Sequence, residues 1–248
     1  MEAYTDFADL YDEFMVETPY DEWLATIKRI LSENGINDGL ICELGSGTGE
    51  MTRRLRDEGY DMIGVDSSIS MLNVAKNKEG DREDILYLCQ DMREFELYGT
   101  VRAIVSVCDC VNYILEPEEM LQVFKLCNNY LDPKGLLIFD FNTDVKYAEI
   151  DDATIAENKE NASFIWDNYY DFDSKINQYD ITFFTREESG LFRRFTETHV
   201  QRGYTLSEMK ELILRAGMEF VDAFDADEGK KADENSGRIL IVAKESGK

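Results

Sequence analysis

The chain has 248 residues, a length that suits one large domain or one domain carrying an insertion. Asp and Glu number 52 against 26 Lys and Arg, and the formal net charge of −26 argues against nucleic-acid binding and against docking on anionic membranes. A single histidine, His199, excludes the common multi-histidine zinc sites, so no metal is expected.

The five cysteines, at 42, 89, 108, 110 and 127, contain no CxxC pair. Cys42, Cys89 and Cys108 lie in apolar runs that read as buried strands, so they read as small hydrophobes of a reduced protein. The first residues lack the basic and apolar regions of a signal peptide, and no apolar run approaches membrane-spanning length. The expectation is a soluble, cytoplasmic protein.

In chain order, Leu40–Leu44 reads as a strand, followed by a glycine-rich turn and a helix over 50–58. Asp61–Asp66 is a second strand, and Ser68 can cap a helix running to about 78. Ile85–Gln90 and Ala103–Cys108 are the third and fourth strands. Pro117 suits the first turn of a helix ending near Leu131, and Gly135–Phe141 is the fifth strand. Near-continuous apolar strands alternating with helices predict a Rossmann-like, doubly wound α/β fold. After residue 143 the pattern changes. Three aromatic and β-branched stretches over 163–202, with turns at Asp173–Lys175 and Glu188–Gly190, predict an antiparallel β insert. Thr205–Glu208 is a capping box for a helix that Gly217 ends. Met218–Phe224 and Ile239–Ala243 read as the last strands, with an exposed loop between them. The expected division is therefore 1–143 with 204–248 as the main domain, and 144–203 as the insert.

The informative stretch is Cys42-Glu-Leu-Gly-Ser-Gly-Thr-Gly-Glu50. Glycines 45, 47 and 49 lie between a strand and a helix, where backbone N–H groups can meet a ligand closely. A dinucleotide fingerprint, GxGxxG, would need glycine at position 50, which is Glu50. Charge gives a second criterion. Glu43 and Glu50 flank the turn and would repel a pyrophosphate, whereas S-adenosyl-L-methionine carries a cationic sulfonium and ammonium.

Glu43-x-Gly45-x-Gly47-x-Gly49 resembles the signature of class I S-adenosylmethionine-dependent methyltransferases. The resemblance extends over roughly 40–141 through Asp66, Gln90-Asp91-Met92, Val107–Tyr113 and Leu131–Leu136. It implies a seven-stranded, mostly parallel sheet with an antiparallel last strand and an insert after strand 5. It also implies that Asp66 meets the ribose, and Asp91 with the Met92 backbone meets the adenine. The methyl-donor site would comprise Glu43, Gly45, Ser46, Gly47, Gly49, Asp66, Ser67, Asp91, Met92 and Cys108. Phe7-Ala-x-x-Tyr11-Asp12 is similar to the leading helix of small-molecule methyltransferases, which caps the cofactor. The loop Asp109-Cys-Val-Asn112 lacks the prolines of nucleic-acid and amide methyltransferases.

The remaining candidates concern the acceptor. Asn112 and Tyr113 lie at the sheet's carboxyl edge, where they serve the acceptor or merely order the loop. Trp166 and the other insert aromatics line a substrate pocket, or form the insert's own core or a dimer face. Tyr20 and Trp23 read as helix core. Tyr11, Asp109 and His199 are the candidate bases, although His199 on an alternating strand reads as a paired surface position. The expected function is methyl transfer to a small molecule by a monomer or a homodimer formed through the insert. A nicotinamide-dependent oxidoreductase and a non-catalytic cofactor-binding protein of the same fold are the alternatives.

Overall fold

The computed structural model describes residues 11, 12, 14–187 and 189–248. Its elements in chain order are α1 (Tyr20–Glu33), β1 (Leu40–Leu44), α2 (Glu50–Asp57), β2 (Asp61–Asp66), α3 (Ile69–Glu79), β3 (Ile85–Cys89), β4 (Val101–Ser106), a 3₁₀ turn (Cys110–Tyr113), α4 (Pro117–Tyr130) and β5 (Leu131–Asn142). Then come α5 (Asp144–Ile150), β6 (Thr154–Asn158), β7 (Ala162–Asp171), β8 (Ile176–Arg186), β9 (Phe192–Arg202), α6 (Leu206–Arg215), β10 (Glu219–Asp225) and β11 (Arg238–Lys244).

Seven strands form one sheet in the order β10-β11-β5-β4-β1-β2-β3. Every neighbouring pair is parallel except those made by β11, which runs against both β5 and β10. Side-chain alternation splits its apolar residues between two faces. Ile41, Met62, Val105 and Ile138 pack with Ile27 and Leu31 of α1 and Met51 and Leu55 of α2. Cys42, Ile63, Ile104 and Phe139 pack with Phe124 of α4 and Leu212 of α6. The same alternation puts Glu43 on the side of α2, where its carboxylate accepts from the hydroxyl of Thr52. The capping box of α6 is formed, with Thr205 and Glu208 each accepting the other's N–H at 3.1 and 2.7 Å.

A separate antiparallel sheet, in the order β6-β7-β8-β9, lies in the chain between β5 and α6. Its inner face carries Phe164, Trp166, Tyr179, Ile181, Phe183 and Phe195, packed with Tyr11 and Phe14. The fold class is the predicted one. Three details differ. β4 ends at Ser106 rather than residue 108, because Cys108 and Asp109 take φ of 67° and 49° and cannot continue a strand. β5 begins at Leu131, before Pro133, with a register shift against β4. Helix α5 and strand β6 have no counterpart in the sequence reading. β6 is an almost wholly exposed edge, so no apolar alternation marks it. The turn expected at Glu188–Gly190 includes Glu188, and Phe7 precedes Tyr11; both lie outside the described residues.

Candidate active site

The three glycines earn their places for different reasons. All have positive φ, at 73°, 52° and 78° for Gly45, Gly47 and Gly49. A Cβ on Gly45 would stand 2.4 Å from Cys110 Sγ, and one on Gly49 2.5 Å from the Tyr87 hydroxyl. A Cβ on Gly47 would meet nothing within 4 Å, so only its backbone conformation and the open space beside it call for glycine. The turn is fixed by the N–H groups of Gly45 and Ser46, which donate to the Val65 carbonyl at 2.8 and 3.0 Å. Asp66 fixes it from the side. Its two carboxylate oxygens accept from the N–H of Gly47 and of Ser68, each at 2.8 Å. Thr48 donates to Asp12 at 2.7 Å, and Lys78 pairs with Asp12, which ties the segment before α1 to the turn.

A cavity of about 660 Å³ opens on this turn. It is lined by Gly45–Thr48, Asp66–Met71 and Cys89–Arg93, and by Tyr11, Tyr20, Val107, Cys108, Tyr113 and Ile114. Glu43 and Glu50 also contribute to its wall. Among the described residues, Ser46 Oγ is buried there with no hydrogen-bond partner. A buried hydroxyl without a partner and an open cradle beside Gly47 fit a polar ligand against the turn. Ser67, Met92 and Cys108 line the same cavity. Asp91 lines it too, but its carboxylate accepts from the Arg93 N–H at 2.8 Å and from the guanidinium, which holds its pKa down. It is thus both a turn cap and a wall residue.

The charge pattern at the turn is less uniform than the sequence suggests. Glu50 is paired with Arg53 and, at 3.1 Å, with Lys78. Its charge is compensated, so it does not repel an anion as expected. Glu43 is only 2% exposed. Burial pushes its carboxyl up to about 8, against the opposing effect of the Thr52 hydrogen bond and with a further push from Asp66. Burial also raises Asp66, partly offset by the two N–H donors. A cation brought beside Glu43 would stabilise its ionised form, and an anion would not.

After β4, Cys108 and Asp109 hold two consecutive left-handed conformations, which cost on the order of 1–3 kcal/mol each. Asp140 holds this bend by accepting from the Asp109 N–H at 2.8 Å, and Asp140 is itself paired with Arg238. The bend brings Cys108 Sγ to 3.6 Å from the Tyr11 hydroxyl. Burial, with the neighbouring Asp109, pushes the Cys108 thiol up to about 12, which keeps it a thiol. Burial pushes Asp109 up to about 6, with Arg238 pulling it back. Asp109 accepts from Gln201 at 2.7 Å and sits behind the cavity wall rather than on it.

Several expected residues take other places. Asn112 is fully buried, and its amide is committed to backbone: it donates to the carbonyls of Asn142 and Arg202 and accepts from the Asn142 N–H. It fastens structure rather than meeting an acceptor. His199 is not on the surface. It is buried, 2.9 Å from the Tyr113 hydroxyl through Nδ1, and stacked on Tyr179. Trp166 stacks on the other side of Tyr179, away from the cavity wall. Cys89 is exposed at the end of β3, not buried. Tyr20, read as helix core, lines the cavity, while Trp23 packs against it under Arg238. The helical period that places Tyr20 inward says nothing about whether protein or ligand fills that side.

An open α/β sheet with a ligand crevice at the carboxyl ends of β1, β2 and β4, a glycine turn and an antiparallel last strand defines the class I methyltransferases. The comparisons agree. A methyltransferase-domain family model matches residues 41–135. YqeM of Bacillus subtilis (strain 168) is 36% identical over 218 residues, covering 87% of this chain and 86% of that protein. A relative from Geobacillus sp. (strain WCH70) is 33% identical over 98% of this chain and 99% of its own length. Both are named as methyltransferases, and neither name gives an acceptor. The crystal structure of an S-adenosylmethionine-dependent methyltransferase from Clostridium acetobutylicum ATCC 824 matches with a TM-score of 0.88 at 25% identity, covering 99% of this chain and 100% of that one. The chain belongs to the class I S-adenosylmethionine-dependent methyltransferases; it is an enzyme, and its methyl donor is S-adenosylmethionine. This sets aside the nicotinamide and non-catalytic readings. Among the described residues, no helix is long and apolar enough to cross a membrane.

Proposed function

We propose that the enzyme methylates a small molecule through a hydroxyl or amine. The observation that carries this reading is the continuity of the cavity. One cavity is lined both by the glycine turn, where the methyl donor belongs, and by Tyr11, Tyr20, Val107, Cys108, Tyr113 and Ile114. Its volume falls within the range of small-molecule sites. Bound S-adenosylmethionine supplies a methyl group already activated on a sulfonium. The chain's part is alignment and exclusion of water.

In this reading the N–H groups around Gly47 and the hydroxyl of Ser46 hold the amino-acid end of the donor. The Glu43 carboxylate faces its cationic groups. Asp66 and Ser67 serve the ribose, and Asp91 and Met92 the adenine. Tyr11 and Tyr20 close over the methyl group. Residues 1–143 and 204–248 act as the donor-binding domain, and 144–203 as a cover for the acceptor end. Fold relatives include a sugar N-methyltransferase, KedS8 from Streptoalloteichus sp ATCC 53650, with a TM-score of 0.80 at 16% identity. They also include CalS10, an amino pentose methyltransferase from Micromonospora echinaspora, with a TM-score of 0.75 at 16% identity. Both favour a small acceptor. The net charge of −26 disfavours nucleic acid, and five free cysteines favour a reducing compartment such as the cytoplasm. The exposed Ile165, Tyr169 and Phe192 of the insert leave a homodimer open beside a monomer.

The test is to incubate the protein with methyl-labelled S-adenosylmethionine and a cell extract split into metabolite, protein and nucleic-acid fractions. Label is expected in the metabolite fraction. Label confined to protein or nucleic acid would overturn the small-molecule reading.

A further inference from the structure

The insert presents one buried polar column to Tyr113, a residue of the cavity lining. Strand β9 places Glu197 and His199 two residues apart, on the same inward face. Both are buried, at 6% and 2% exposure. His199 Nε2 lies 3.5 Å from a Glu197 oxygen, and His199 Nδ1 lies 2.9 Å from the Tyr113 hydroxyl. Tyr113 belongs to the 3₁₀ turn after β4 and lines the cavity. Its hydroxyl is also 3.1 Å from that of Tyr179, whose ring stacks on His199 at 5.0 Å and 15°. The imidazole is thus held by stacking, with one nitrogen toward a carboxylate and the other toward the phenol of Tyr113, a residue of the cavity lining.

We infer that Glu197, His199 and Tyr113 form a proton relay that takes the proton released by the acceptor. The inference rests on the proposed acceptor, a hydroxyl or amine, and adds the group that receives its proton. A carboxylate facing Nε2 favours a proton on that nitrogen, which leaves Nδ1 bare and able to accept from the Tyr113 hydroxyl. Tyr179 then donates to Tyr113. As the acceptor's lone pair forms the new bond to the methyl group, the sulfur keeps the electron pair of the bond that breaks. The acceptor's proton passes to Tyr113 Oη, and the proton of Tyr113 passes to His199 Nδ1. The imidazolium so formed is balanced by Glu197. Tyr113 is the catalytic residue of this relay, and His199 and Glu197 are positioning residues that act through it. The 3.5 Å separation is longer than a hydrogen bond, as catalytic contacts often are before the substrate is seated.

Because the chain has one histidine, a long-range nitrogen–proton NMR spectrum shows a single imidazole. At pH 8 and without any acceptor, the proton is expected on Nε2, and Tyr113→Phe is expected to shift the Nδ1 resonance alone. A proton on Nδ1, or an Nδ1 resonance that ignores Tyr113→Phe, would overturn the relay. In label transfer to the extract fraction methylated by the wild type, Tyr113→Phe should lower kcat about 100-fold, the scale of general acid–base catalysis, with the KM for S-adenosylmethionine unchanged. Glu197→Gln should lower kcat, and Glu197→Asp should restore part of the loss. An unchanged kcat in folded Tyr113→Phe sinks the relay. A wild type that methylates no small molecule strikes the proposed function instead, and the tautomer still decides the geometry.

Discussion

Asp66, at the end of β2, reaches back to accept the N–H of Gly47 at 2.8 Å, so the residue expected to hold the ribose also holds the glycine turn. Its removal should therefore do two kinds of harm. Asp66→Ala leaves the N–H groups of Gly47 and Ser68 without their charged acceptor. A hydrogen bond to a charged group contributes about 1.5–3 kcal/mol, so affinity for S-adenosylmethionine should fall at least tenfold and the melting temperature should drop. Asp66→Asn keeps one acceptor oxygen and should fall between. Calorimetric titration and thermal melts read both, and an unchanged dissociation constant in a folded Asp66→Ala protein contradicts the role.

The glycines should separate by phenotype. Gly45→Ala drives a Cβ into Cys110, and Gly49→Ala drives one toward Tyr87 and Ala75. Both should lower the melting temperature sharply. Gly47→Ala meets no neighbour and carries only the left-handed cost of about 1–2 kcal/mol. It should keep most of its stability yet bind the methyl donor poorly, since its Cβ occupies the cradle. Equal losses of stability at all three positions would refute this assignment.

Glu43 should make donor binding a proton-releasing event. Its carboxyl, pushed up to about 8, is mostly protonated at neutral pH. A sulfonium or ammonium beside it favours the ionised form. Apparent affinity should rise from pH 6 toward 8 and level off above that. The binding enthalpy at pH 7 should vary with the ionisation enthalpy of the buffer, and Glu43→Gln should abolish this variation. The folded pKa lies above the unfolded carboxyl value of about 4.3, so this group's contribution to stability is present below pH 4 and lost as pH rises through about 8. The melting temperature of free Glu43→Gln should consequently fall less between pH 5 and 9 than that of the wild type.

Asp140 supports the bend at Cys108 and Asp109 and compensates the buried Arg238. Asp140→Ala leaves that guanidinium without its partner, a loss of about 3–5 kcal/mol for a broken buried pair. A urea midpoint close to that of the wild type would show that the pair does little. Asp140→Asn can still accept from the Asp109 N–H, so it should hold the bend better than Asp140→Ala at a comparable cost in charge.

Local chemistry was legible where it repeats with a short period or sits in one contiguous stretch. The succession of strands and helices, the glycine turn and the Thr205–Glu208 capping box all follow from spacing. The acceptor end does not. Alternation places Glu197 and His199 on one face of β9, yet whether that face looks inward depends on Tyr113, which is 86 residues distant from His199 in the chain. Asn112 looks like a loop residue until the two strands it joins are seen together. Glu50 looks like a bare charge until Arg53 and Lys78 are folded against it.

Asn112 grips Asn142 and Arg202, the points at which the chain departs for the four-stranded sheet and returns from it. Both roots of the four-stranded sheet are thereby fastened to the short turn that carries Tyr113 one residue further on.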